Sequence, residues 1–258
     1  MRNAVLALTG TPNDLLQELK EQYGLQNARI KIDRRSRVRG IETEHAAVYR
    51  DNGDWIIEIV DGRVNYLLFH EFLHIALEET GRFIEFKHRF RQIQEYLFGL
   101  KHIMDEHLIE SEVKRRFGTK YRRTFLQSRL SGDGSYQILV NGGSGQRTDV
   151  VVRTFMDLLS IRTICNSIYP LLKDLPPAKV LRDTIRSPRF DAVVAIVQDY
   201  SFISTSAEDY MTGIRRIHQA LTKTPLKLSA KHSVILDDLG GVRDLVAEFR
   251  KAYSACRA

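Results

Sequence analysis

His70-Glu71-Phe72-Leu73-His74 places two imidazoles four residues apart, with a carboxylate directly after the first. On an α-helix residues i and i+4 share a face, so both rings can point at one ion, as two ligands of a tetrahedral zinc site must. Glu71 then flanks the metal, where a carboxylate takes a proton from a zinc-activated water and delivers it to a leaving amine. A chance occurrence would strand two histidines and a glutamate among Leu67, Leu68, Phe69, Phe72, Leu73, Ile75 and Leu77, where polar groups without partners are costly. These five residues predict a catalytic Zn2+ site with His70 and His74 as ligands and Glu71 as general base.

A catalytic zinc needs a third protein ligand and one open position. The extension HExxHxxGxxH is absent: Leu77 stands where its glycine would be and Thr80 where its third histidine would be. Downstream, Asp105-Glu106-His107-Leu108-Ile109-Glu110 supplies other donors. HExxH followed on a later helix by Glu-x-x-x-Asp or Glu-x-x-x-Glu resembles the gluzincin branch of the zincin metallopeptidases. That resemblance implies that Glu106 binds zinc and that Glu110, four residues on, orients a zinc-bound histidine. Helical geometry gives independent support, since Glu106 and Glu110 fall on one stripe with Ile103, Val113 and Phe117, whereas Asp105 and Glu112 project elsewhere. Glu110 and His107 stand as the alternatives for the third ligand. The resemblance covers about residues 55–117, and it further implies that Trp55 to Val60 is an edge strand pairing with an extended substrate. A donor for the developing oxyanion is also required, and Tyr96, His88, His102, His107 and Tyr121 are the candidates.

The elements that must position these residues follow from local signals. Thr11-Pro12-Asn13-Asp14 opens a short amphipathic helix that Gly24 ends. Residues 29–32, 46–49 and 55–60 alternate as strands, with Asp51-Asn52-Gly53-Asp54 as the turn joining the last two, which predicts a small antiparallel sheet. Asp61 and Gly81 bracket the motif helix as cap and stop. From about Phe83 to Phe117 the pattern stays helical, with Gly99 separating two helices. Tyr136 to Val140, between two glycine-rich turns, reads as a strand. The region after Asp149 is helical, interrupted at Pro170, Pro176-Pro177, Pro188 and Pro225. The expected fold is α+β: a small antiparallel sheet packed on a zincin active-site helix within a catalytic region of residues 1–130, then a mainly helical region, 131–258.

The whole chain sets the wider bounds. Its 258 residues, 43% hydrophobic and 28% charged, are those of a folded globular protein. Cys165 and Cys256 lack CxxC spacing, so no disulfide framework or cysteine zinc site is expected. Neither a secretory leader nor a window near the roughly 20 apolar residues of a membrane span is evident, so a soluble, cytoplasmic protein is expected. A net charge of +7 favours acidic partners. Arg34, Arg35, Arg37 and Arg39, and Lys114, Arg115, Arg116, Arg122 and Arg123, form the dense basic clusters. They offer weak nucleic-acid or acidic-partner binding, or read more simply as solvated faces. The residues at 141–148 lack the lysine and spacing of a phosphate loop and read as a flexible turn, a candidate substrate flap.

Two functions remain. The leading one is a zinc metallopeptidase acting on a peptide or protein, narrow in specificity. The other is a non-catalytic zinc-containing regulatory or nucleic-acid-binding protein that uses its basic surface.

Overall fold

A two-residue hairpin turn organises the sheet. Asn52 and Gly53 both take positive φ, 49° and 84°, the backbone that a type I′ turn demands and that Asn-Gly tolerates best. It joins β2 (Ala46–Asp51) to β3 (Asp54–Val60) in antiparallel register, with Asp51 opposite Asp54 and Val48 opposite Ile57. β1 (Ile30–Arg35) adds to the other side of β3 in parallel, Ile32 opposite Ile57, giving the order β1-β3-β2. The sheet is therefore mixed rather than wholly antiparallel. Strand alternation predicts pleat and face, but not which edge a third strand joins.

The computed structural model describes residues 11–35, 46–60, 64–84, 86, 88–131, 134–143, 145–228, 234–235 and 240–256. Packing groups the chain into two compact units, residues 1–83 with 113–118, and residues 84–112 with 119–258.

In the first unit, α1 (Pro12–Gln22) starts with a reciprocal cap between Thr11 and Asp14 and has the expected Pro12 in its first turn. Gly24, at φ 71°, closes it. α2 (Val64–Glu79) carries the HExxH motif. Its end is a Schellman motif: Gly81, at φ 77°, donates to the Glu78 carbonyl and Arg82 donates to that of Leu77. The expected cap Asp61 lies outside the described residues. Tyr23, just beyond α1, sets its ring against Phe69 and Phe72 of α2 at centroid distances of 6.4 and 5.7 Å.

α3 (Arg91–Ser131) runs through both units. No break occurs at Gly99. Its irregular residue is Gly118, at φ 73° and ψ −174°. Gly99 instead marks a close approach, because a Cβ there would lie 2.4 Å from Cβ of Met156. A glycine in a helical pattern signals either event, and here packing decided.

Residues 134–141 also depart from expectation. They form α4 (Gly134–Asn141) rather than a strand. Only Leu139 is buried, so the segment presents no alternating face for a sheet, and its β-branched and aromatic content yields to helix packing on α5 (Thr148–Thr163). Ser135 donates to Asp157 of α5 at 2.8 Å. α5 is the buried axis of the second unit, followed by a π-helical turn, Ile164–Ile168, and a short 3₁₀ turn, Pro170–Leu172. α6 (Pro176–Thr184) and α7 (Pro188–Val197) each start on proline, where the missing N–H costs nothing. α8 (Ala207–Thr222), a two-residue ribbon of β4 (Lys227–Leu228) and β5 (Val234–Ile235), and α9 (Gly240–Ala255) complete it. Phe249 stacks on Phe155 at 4.9 Å, joining α9 to α5. The architecture is α+β with a mostly helical carboxy-terminal region. No helix among the described residues is long and apolar enough to cross a membrane.

Candidate metal centre

α2 is apolar almost all round, as a helix enclosed by its neighbours must be. From Tyr66 to Leu77 every side chain is buried except those of Glu71 and His74, which are half-buried. Glu71 and His74 lie on one stripe of the helix with Glu78, which is also half-buried. His70, at 3% exposure, lies beneath. The rings of His70 and His74 stand edge to face with centroids 5.2 Å apart, the arrangement expected of imidazoles one turn apart that converge on a common point.

A clamp at the end of α2 fixes this presentation. Glu79 accepts hydrogen bonds from Trp55 Nε1 of β3 at 2.8 Å and from Arg50 Nη2 of β2 at 2.6 Å. The Arg50 guanidinium lies 4.3 Å over the Trp55 ring. This ties the helix to the hairpin, and nothing in residue spacing announces it. Behind the helix, Arg116 donates to Glu18 at 2.7 Å and to Gln22 at 2.8 Å and covers the Phe69 ring. One member of the basic cluster is thus structural. Arg34 and Arg115 are exposed and Lys114 half-buried, while Arg37, Arg39 and the side chains of Arg35, Arg122 and Arg123 lie outside the description.

His70, His74 and Glu106 form a group that could hold a metal ion, each offering one ligand atom, all within 4.8 Å of one another. Two imidazoles and one carboxylate suit zinc, and three protein ligands leave a position for substrate or water. Glu106 is 6% exposed, and a buried carboxylate facing two imidazoles is what a bound cation stabilises. The donor set therefore fits Zn2+.

Among the described residues neither alternative ligand belongs to this group. Glu110, one turn beyond Glu106, is fully buried and lies close enough to Cys165 that its charge, after burial itself, helps push that thiol up to about 12. His107 is engaged elsewhere in the second unit. Its Nε2 lies 3.2 Å from the Tyr200 carbonyl and its Nδ1 3.2 Å from Ser167 Oγ, and burial pushes its pKa down to about 4. Asp105 does project away from Glu106, but into the core, where it accepts from Tyr210 at 2.5 Å and pairs with Lys101.

The oxyanion-donor candidates sort in the same way. Tyr96 is buried against His218, its hydroxyl 3.0 Å from Nδ1. His88 Nδ1 accepts the Phe90 N–H at 3.1 Å in the turn before α3. The Tyr121 side chain is outside the description. His102 is 42% exposed, with Nδ1 4.0 Å from Glu106 Oε1, one helical turn before it.

One expectation about substrate is corrected. β3, residues 54–60, is the central strand, paired on one side by β1 and on the other by β2. It has no edge for a substrate. Main-chain pairing in this sheet could use only the outer edge of β1 or of β2, and β2 is the strand clamped to α2 by Arg50.

No protein-family model matches this chain, and no curated protein or solved structure is significantly similar to it. The functional reading rests on the site alone.

Proposed function

We propose that this chain is a zinc-dependent metallopeptidase of the gluzincin kind, hydrolysing peptide bonds in a peptide or protein substrate with narrow specificity. The observation that carries this is that both HExxH histidines and Glu106 form a group, each offering one ligand atom within 4.8 Å of the others, that could hold a metal ion. Zinc bound there would act as a Lewis acid on the scissile carbonyl and lower the pKa of water at its open position. His70, His74 and Glu106 would hold the ion. Glu71, half-buried beside the ligands, receives the proton of the attacking water and returns it to the leaving amine. Glu110, by the gluzincin resemblance, would orient a zinc-bound histidine. His102, half-exposed beside Glu106, donates to the oxygen on which charge develops.

Glu71→Gln in the full chain tests the reading. Zinc retained with peptide hydrolysis abolished supports it. Zinc retained with hydrolysis unchanged contradicts it, as does a protein whose only activity is nucleic-acid binding indifferent to the substitution.

A further inference from the structure

From Arg91 to Val113, α3 buries every large apolar side chain but one. The exception is Phe98, 51% exposed. Isolated exposed apolar residues are ordinary, but Phe98 has a specific address. Phe98, His102 and Glu106 are spaced by four and form one ridge of the helix. Exposure falls along that ridge, from Phe98 through the 42% of His102 to the 7% of the Glu106 side chain. The ridge thus leads from solvent to the ligand group, with an aromatic ring at its outer end.

Eight residues of helix separate Phe98 from Glu106, about 12 Å along the axis. An extended peptide advances about 3.3 Å per residue, so it covers that length in three to four residues. We propose that Phe98 is a specificity residue: it receives an apolar side chain of the substrate three or four residues from the bond that is cut. The inference rests on the metallopeptidase reading. Of the ligands such a site could take, an extended chain is the one that spans the ridge. Burying the ring against an aliphatic or aromatic side chain removes apolar surface from water on both partners, which the site otherwise leaves exposed.

The test uses the full chain carrying Glu71→Gln, zinc-loaded, on a random-sequence dodecapeptide array, alone and combined with Phe98→Ser or Phe98→Leu. Bound peptides should be enriched in Leu, Ile, Met and Phe. Phe98→Ser should weaken their binding about tenfold, and Phe98→Leu less than about threefold, the scale expected for partial burial of one apolar side chain. Zinc content should be equal in all three proteins. Absence of peptide binding, absence of apolar enrichment, or binding that ignores Phe98→Ser in a zinc-loaded protein would overturn this inference alone. A parent protein without zinc would overturn the metallopeptidase reading and this inference with it.

Discussion

Buried histidines in the two units of the molecule have opposite surroundings. In the second unit His107 and His218 are used up by their own neighbourhoods. His107 has a carbonyl on one ring nitrogen and a hydroxyl on the other, and His218 has the Tyr96 and Thr224 hydroxyls, at 3.0 and 3.3 Å. Burial drives both pKa values down to about 4, so both are neutral packing groups at pH 7. In the first unit the rings of His70 and His74 stand edge to face, and with Glu106 they form a group that could hold a metal ion. Burial alone therefore does not mark a metal ligand. What sets His70 and His74 apart is membership, with Glu106, of a group that could hold a metal ion.

The largest effect that should separate the two classes is catalytic. Glu71→Gln is expected to lower the rate of peptide hydrolysis by about 10²–10⁴-fold with zinc retained, measured on the peptides the protein binds, whereas His218→Gln should leave the rate within about threefold. Comparable losses in both would erase the distinction. Metal content should divide the histidines next: His70→Ala loses zinc, while His107→Ala keeps it and costs about 1–3 kcal/mol in urea unfolding, because Tyr200 and Ser167 lose a buried partner.

Acid should act through the second class. His107 and His218 have folded pKa values near 4, below the 6.5 of the unfolded chain, so between these limits the unfolded state binds more protons. Their contribution to stability is complete above pH 6.5 and falls as pH drops toward 4, by at most about 1.4 kcal/mol per pH unit for each. Urea midpoints at pH 7, 6, 5 and 4.5 should show this slope, and His107→Gln should flatten it. An unchanged slope would mean that His107 titrates normally.

The motif half of this comparison was legible because helical spacing alone converges His70 and His74 and sets Glu71 beside them. Glu106 was legible as one of two carboxylates on a single helical stripe with Glu110, and it was the resemblance, not the spacing, that preferred it. The hairpin was legible because Asn52-Gly53 has few other uses. What spacing could not carry was tertiary. The parallel addition of β1, the consumption of His107 by Tyr200 and Ser167, and the clamp of Glu79 on Trp55 and Arg50 join residues distant in sequence. A glycine at position 99 suggests a helix break in sequence, but its role is to admit Met156. Residues 136–140 were read by propensity where helix packing prevailed.

A stability effect of similar size bears on Gly99. Gly99→Ala should destabilise the protein by about 1–3 kcal/mol through overpacking against Met156, although alanine in an open helix would stabilise by up to about 1 kcal/mol. A gain in urea midpoint would show that the helices separate at no cost.

Whether His70, His74 and Glu106 bind one ion is decided by elemental analysis of the freshly purified chain beside His70→Ala and Glu106→Ala. One zinc per chain in the wild type, lost in both folded variants, is the predicted result. A folded wild-type protein without zinc, or zinc that persists in both variants, would contradict it.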